Sequence, residues 1–223
     1  MRRHEVAIIV PCYNEKKTIL KVYKRIKKYG KILIVDDHSI DGTRKILIKK
    51  KIKFLKNKKN IGYEASIING MKHVLRNWKK VKFIITIDAD DELLSQSVPL
   101  LLKNLLKNNF DIVVGSRNKL NRISEYFLKL IFNLKFDVKD PISGLKIYRT
   151  KVIKKIVNLI SKNFYLVDIL IISYYKNFSI GSSNIFVNKR KGEPRVGNNF
   201  LVNMKIFNII FNSIFSQKFN NNI

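Results

Sequence analysis

The acids Asp88-Ala89-Asp90, with Glu92 two residues on, close an apolar run, Phe83–Ile87. Two carboxylates at i and i+2 at a strand end can share a hard divalent cation, and oxygen ligands suit Mg²⁺ or Mn²⁺. Such an ion would offset the charge of a diphosphate leaving group. An exposed acidic turn would use the same residues. Yet the chain holds only 16 acids, three of them within positions 88–91. A second pair, Asp36-Asp37, ends the run Lys31–Val35. A carboxylate there can accept a hydrogen bond from a nucleobase N–H or a ribose hydroxyl. Asp41, just before Gly42-Thr43, reads instead as a helix cap. A third polar group, Tyr13-Asn14-Glu15, follows Glu5–Val10.

All three groups sit where strands should end. Glu5–Val10, Lys31–Val35, Ile52–Leu55, Phe83–Ile87 and Asp111–Val114 are short apolar runs, as expected of strands covered on both faces. Pro11 is expected to end the first. Between them Thr18–Tyr29, Thr43–Lys50, Tyr63–Trp78 and Leu100–Leu106 carry helical spacing, with Gly30 as a stop and Pro99 in a first turn. Later, Lys119–Lys139, Lys151–Ile160 and Tyr165–Tyr175 read as helical and Gly144–Tyr148 as a strand. Alternating strands and helices predict an α/β fold with a mostly parallel central sheet and helices on both faces. Ligands bind such sheets beyond the C-terminal strand ends.

With 223 residues, 46% of them hydrophobic, the chain can bury one substantial core. Its 45 Lys and Arg give a net charge of +29. The excess is mostly lysine and spread along the chain, so no nucleic acid partner is expected; a phosphorylated substrate or an anionic membrane face fits better. There is no G-x-G-x-x-G after the first strand and no P-loop. The single cysteine, Cys12, reads as a packed residue, and His4, His38 and His73 lack zinc-ligand spacing. No secretory signal is visible, and no run of 18 uncharged apolar residues occurs. Phe200–Phe215 is amphipathic, with Lys205, Asn208 and Asn212 opposite Ile206, Phe207, Ile210, Phe211 and Ile214.

Six segments in order, VPCYNE (10–15), IVDDHSIDGT (34–43), NIGYEASIINGM (60–71), TIDADDE (86–92), VVGSRN (113–118) and DPISGLKIYR (140–149), make the chain resemble a family-2 glycosyltransferase of the GT-A, Rossmann-like fold. Within that family the resemblance runs nearest to dolichyl- and polyprenyl-phosphate sugar synthases. It covers Val6–Arg195. It implies a glycosyltransferase domain over residues 1–196, with a nucleotide-sugar half (1–92) and an acceptor half (93–196), followed by an amphipathic segment, 197–223. It implies that Pro11, Tyr13, Glu15, Asp37, Asp88 and Arg190 hold the donor nucleotide, and that Asp88, Asp90 and Glu92 hold the metal, Mg²⁺ or Mn²⁺. Glu92 stands where the synthases often carry Gln. Arg117, Arg122 and Ser124 fall to the acceptor phosphate, and Asp90, Arg117, Asp140 and Asp168 to catalysis. Ser143-Gly144 matches a turn beneath the acceptor, and Lys191–Arg195 a closing loop.

The reaction so implied is inverting, metal-dependent transfer from a GDP- or UDP-sugar. A polyprenyl phosphate acceptor is already anionic, since a second phosphate pKa is about 6, and needs no base. A sugar hydroxyl of a cell-surface glycan or lipid-linked oligosaccharide needs a carboxylate base, for which Asp140 and Asp168 are the candidates. A non-catalytic basic module for RNA or another anion is the distant third reading. A cytoplasmic protein with peripheral membrane contact is expected.

Overall fold

The computed structural model describes residues 2–118, 123–160 and 167–188, together with Met204. Arg122, Arg190, residues 191–195 and the amphipathic stretch 200–215, apart from Met204, lie outside the described residues.

Seven strands form one sheet. At its centre β1 (Val6–Cys12) is buried along its whole length. It pairs in parallel with β2 (Lys31–Asp36) and with β4 (Phe83–Thr86), and β2 pairs in parallel with β3 (Phe54–Lys56). On the other side, β6 (Lys146–Arg149) runs antiparallel to β4 and to β5 (Ile112–Ser116), and β5 pairs in parallel with β7 (Ile180–Asn184). The order is β3-β2-β1-β4-β6-β5-β7. The sheet is mostly parallel, with β6 the reversed strand among those described.

The period of two in each strand divides the core into two layers. Ile8, Val10, Ile34 and Ile85 pack with α1 (Ile19–Ile26), α2 (Thr43–Lys49) and α4 (Ser97–Lys107). Ala7, Ile9, Leu33, Val35 and Ile84 pack with α3 (Tyr63–Asn77), α5 (Ile123–Phe136), α6 (Thr150–Ile156) and α7 (Val167–Tyr175). Helices therefore cover both faces, as the alternation predicts.

Two local expectations need correction, and one strand goes unannounced. Pro11 does not end β1: the strand continues to Cys12, registered against β2. The reason is direction. Ile87 N–H donates to the Ile9 carbonyl on the β4 side, and Asp37 N–H to the Cys12 carbonyl on the β2 side. Pro11 thus faces β4 beyond the last registered pair, Ile9↔Thr86, and its missing N–H costs no ladder bond. Gly30 is not a left-handed helix stop. It is required by close approach, since a Cβ there would lie 2.8 Å from the Val6 carbonyl oxygen. Finally β7, Ile180-Gly-Ser-Ser-Asn184, is a strand that no apolar run announces.

Candidate active site

The chain leaves β1, β2 and β4 through sharp reversals at one end of the sheet. Each uses a non-glycine residue in the left-handed region: Asn14 (φ 55°), His38 (φ 63°) and Asp91 (φ 64°). Asn and Asp tolerate this conformation better than most residues because their short side chains bond locally. The Asn14 Oδ1 accepts the N–H groups of Ile40 and Asp41, tying the first reversal to the second. Asp41 caps α2 as expected, accepting the Thr43 N–H at 2.9 Å. The same Thr43 hydroxyl accepts the Glu15 N–H at 2.8 Å, and Glu15 is buried. Pro11 is also buried, whereas Tyr13 is exposed at the rim.

Asp37 is held from within. Its Oδ1 accepts Asn57 Nδ2 and the Ile61 N–H, and its Oδ2 accepts the Gly62 N–H, each at 2.9 Å. A carboxylate has about four acceptor positions, so these three donors fix its plane and leave Oδ2 room for one more. Gly62 has φ 91°, a conformation in which a side chain would be strained. The 57–62 loop is thereby wrapped around one carboxylate, and α3 starts directly after it.

The first residue of α3 completes the next part. The Tyr63 hydroxyl donates to Asp88 Oδ1 at 2.5 Å. Desolvation of the phenol, with Asp88 beside it, holds its pKa well above the ordinary value, so Tyr63 remains the donor. Burial first, and the like charge of Asp90 second, push the Asp88 carboxyl up to about 6. Behind Asp88 the Gly144 backbone comes so close that a Cβ would stand 2.1 Å from its Oδ2. Gly144 is in turn fixed by the Thr86 hydroxyl, which donates to its carbonyl at 2.9 Å. Because β6 is antiparallel, its start, not its end, reaches this side of the sheet.

Of the acids at 88–92, two face the site together. Asp91 turns away to α1, paired with Lys21 at 2.6 Å and Arg25 at 2.5 Å. Asp90 Oδ1 accepts the Glu92 N–H. Among the described residues no three His, Cys, Asp or Glu side chains gather as a metal set. Glu92 adds a smaller attraction that favours the Arg117 charge, and its carbonyl accepts the Asn188 N–H at 2.8 Å. The pair still suits a divalent cation: two hard, like-charged carboxylates, one with a raised pKa, are what such an ion relieves.

Beside it lies a buried charge cluster. Arg117 grips Asp140 in bidentate fashion, Nε to Oδ2 at 2.7 Å and Nη2 to Oδ1 at 3.1 Å, and its own N–H adds a third bond to Oδ2. Glu125, in the first turn of α5, stands 3.5 Å from the same guanidinium. Burial opposes the Arg117 charge, but the Asp140 pair outweighs it and raises the pKa. Lys146 is 1% exposed and donates to the Ser143 carbonyl at 2.5 Å. Burial pulls its ammonium down to about 8 against the attraction of Asp140 and Asp88. Ser124 is buried beside Glu125. Asp168 is buried in the first turn of α7, on an element packed against α6 and β7.

The structure thus brings Asp88, Asp90, Arg117 and Asp140 together with Tyr63 and Lys146, two residues the sequence reading had left as ordinary helix and strand positions. Lys146 had a visible signal, a lone lysine between Leu145 and Ile147 in a buried run. Tyr63 had none beyond its place after Gly62.

Strand-end carboxylates with a cationic cluster across a reversed strand define a nucleotide-sugar transferase of the GT-A type. The chain belongs to glycosyl transferase family 2, whose model matches residues 7–157. An uncharacterized protein of Methanocaldococcus jannaschii is 29% identical over 96% of this chain and 95% of its own. The UDP-N-acetylglucosamine–dolichyl-phosphate N-acetylglucosaminyltransferase of Methanococcus voltae is 23% identical over 91% of this chain and 93% of its own. The dolichol-phosphate mannosyltransferase of Pyrococcus furiosus is 27% identical over 67% of this chain and 47% of its own. Among solved structures, glucosyl-3-phosphoglycerate synthase from Mycobacterium tuberculosis, in complex with Mn²⁺, UDP and phosphoglyceric acid, shares the fold at a TM-score of 0.73 and 14% identity, over 93% of this chain and 78% of that one.

Proposed function

We propose that this glycosyltransferase moves a sugar, with inversion, from a GDP- or UDP-sugar to a polyprenyl phosphate, at a cytoplasmic membrane face to which it attaches peripherally. Support for the donor comes from the strand-end carboxylates, and from a solved structure of the same fold in complex with Mn²⁺, UDP and phosphoglyceric acid. Support for the acceptor comes from two relatives named for dolichyl phosphate.

One observation carries the acceptor reading. Asp140, a candidate base, has both oxygens committed to Arg117. A carboxylate tied up in this way serves to hold a cation, and a cation beside the donor site suits an anionic nucleophile. A phosphate acceptor needs positioning and no base, whereas a hydroxyl needs its proton removed.

In this reading Pro11, Tyr13, Glu15 and Asp37 line the nucleoside end, Asp37 with its remaining acceptor position. Asp88 and Asp90 hold Mg²⁺ or Mn²⁺, Tyr63 and Gly144 keep Asp88 in place, and Arg190 closes on the donor. When bound, the ion offsets the negative charge that builds on the departing diphosphate. Arg117, Arg122 and Ser124 orient the acceptor phosphate, and Lys146 supplies fixed positive charge beneath Asp88 and Asp140.

The test begins with a thermal-shift panel of nucleotide sugars with Mn²⁺, followed by transfer to polyprenyl phosphate. Asp90→Asn is expected to abolish metal-dependent donor binding and transfer while the protein stays folded. Arg122→Ala is expected to raise the KM for the lipid phosphate with donor affinity unchanged, and Asp168→Asn to be mild. A large kcat loss in Asp168→Asn beside a silent Arg122→Ala would replace this acceptor with a sugar hydroxyl.

A further inference from the structure

Helix α5 is apolar on two sides. Its inner side, Leu128, Phe132 and Phe136, is buried in the core. On its outer side Tyr126, Leu130 and Leu134 recur every four residues, with Phe127 beside them; they are 50%, 55%, 77% and 50% exposed. A helix hydrophobic all round belongs in a core or against lipid, and a cluster of large apolar side chains in water marks a contact site. Lysines frame this one. Tyr126, Lys129, Leu130, Asn133 and Lys139 line a groove of about 460 Å³, and Lys135 stands on the same helix. Glu125 is turned inward and buried, so the exposed acid nearby is Asp137, past the helix end.

We infer that the outer face of α5 docks on an anionic lipid surface, lying in its plane with the leucines and aromatics among the acyl chains and the lysines at the headgroups. This rests on the lipid-phosphate reading above and names the surface that would serve it. Charge selects the occupant. In a two-fold pairing of copies the same patch meets itself, which would bring Lys129, Lys135 and Lys139 toward their own counterparts in a chain of net charge +29. Residues 197–223 contain no Asp or Glu, so that segment brings no opposite side-chain charge to a basic rim. Anionic lipid answers both the apolar stripe and its basic rim, with each lysine near the surface contributing about 1 kcal/mol.

Position links this surface to the site. Arg117 precedes α5 in the chain and Asp140 follows it, and the two are clasped by bonds of 2.7 and 3.1 Å. The helix is an excursion whose two stems are joined at the acceptor cluster. Docking it on a membrane brings that cluster to the depth where a lipid phosphate resides.

The experiment uses the full chain with sucrose-loaded vesicles of phosphatidylcholine, with and without 30% phosphatidylglycerol. Wild type is expected to sediment with the anionic vesicles and to bind neutral ones at least tenfold less. Leu130→Glu/Leu134→Glu is expected to lose at least tenfold in anionic-vesicle binding, with an unchanged melting temperature and unchanged Mn²⁺-dependent nucleotide-sugar hydrolysis. Lys129→Glu/Lys139→Glu is expected to lose binding mainly at low salt. Undiminished vesicle binding in the leucine variant would overturn the inference. So would light scattering that shows a wild-type dimer dissociating in that variant. A short-chain, water-soluble prenyl phosphate separates the two readings. If the leucine variant transfers sugar to it normally but fails with the vesicle-borne acceptor, the docking surface is supported. If neither protein accepts any prenyl phosphate while wild type still binds vesicles, the acceptor reading fails and the surface stands.

Discussion

The two sides of the site keep their carboxylates in place by different means. On the β1–β2 side, Asp37 is held by a side-chain amide and two main-chain N–H groups, all neutral donors. Across β4, Asp140 is held by a buried guanidinium with Lys146 close by. Neutral main-chain donors make a rigid cradle whose loss is a matter of hydrogen bonds. A buried ion pair is different in kind. Its formation is costly, but removing one partner strands a charge that cannot reach water. The first arrangement fixes a carboxylate without a counter-charge; the second fixes it with two cations that are themselves buried among acids.

Breaking the second should therefore hurt most. Asp140→Ala leaves Arg117, with a side chain 13% exposed, to Glu125 at 3.5 Å and the weaker attraction of Glu92. A loss of about 3–5 kcal/mol of folding stability is expected, read from urea denaturation. A loss below about 1 kcal/mol would mean Glu125 takes over as partner, and the contrast between the two sides would weaken. Asp37→Ala is expected to cost about 1–3 kcal/mol, since Asn57 and the Ile61 and Gly62 N–H groups lose their acceptor. Donor affinity should fall with it, measured by calorimetry with the nucleotide diphosphate.

The smallest effect sharpens the comparison at Asp88, beside Asp90. Asp88 titrates at about 6 in the fold and at 3.8 as a free side chain. Its raised pKa means the folded state binds the extra proton, so this group favours folding below pH 4 and loses that contribution as pH rises through 6. In metal-free protein Asp88→Asn should then be neutral at pH 4 and stabilising at pH 7.5. Solvent screening at this partly exposed position keeps the gain near 1 kcal/mol. Thermal melts at the two pH values check the sign. Added Mn²⁺ should raise the wild-type melting temperature and leave the variant unmoved.

Much of the fold was legible because buried parallel strands announce themselves as apolar runs: β1, β2 and β4 fall within a residue or two of their expected bounds. Their C-terminal ends, and with them the carboxylate clusters, followed from the alternation of elements. Strand direction was not legible. Nothing in Lys146–Arg149 marks it as antiparallel, because direction is a property of the path between strands. Nor was β7, whose Gly181 is chosen for the Phe110 ring that a Cβ would strike at 2.4 Å. In the site, the strand-end positions of Asp88, Asp90 and Glu92 could be read from type and spacing, but spacing places a carboxylate near a site and does not aim it: Asp91, in the same run, turns to Lys21 and Arg25. Tyr63 and Lys146 act through contacts across the sheet that no local pattern carries.

The reversed strand also has a consequence for how the molecule comes into being. β1 to β4 lie within the first 86 residues and can pair as the chain emerges. β6 must return to β4 across some sixty residues, joining Thr86 to Gly144, and β7 must then find β5. Non-local closures of this kind come late and slowly. During synthesis the carboxylates at the ends of β2 and β4 are expected to stand assembled before Gly144, Lys146 and Asp140 arrive. A nascent chain of which some 110 residues have cleared the ribosome would hold Asp37, Asp88 and Asp90 without Arg117 and Lys146, and those cations would join them only when the strand that runs against its neighbours closes the sheet.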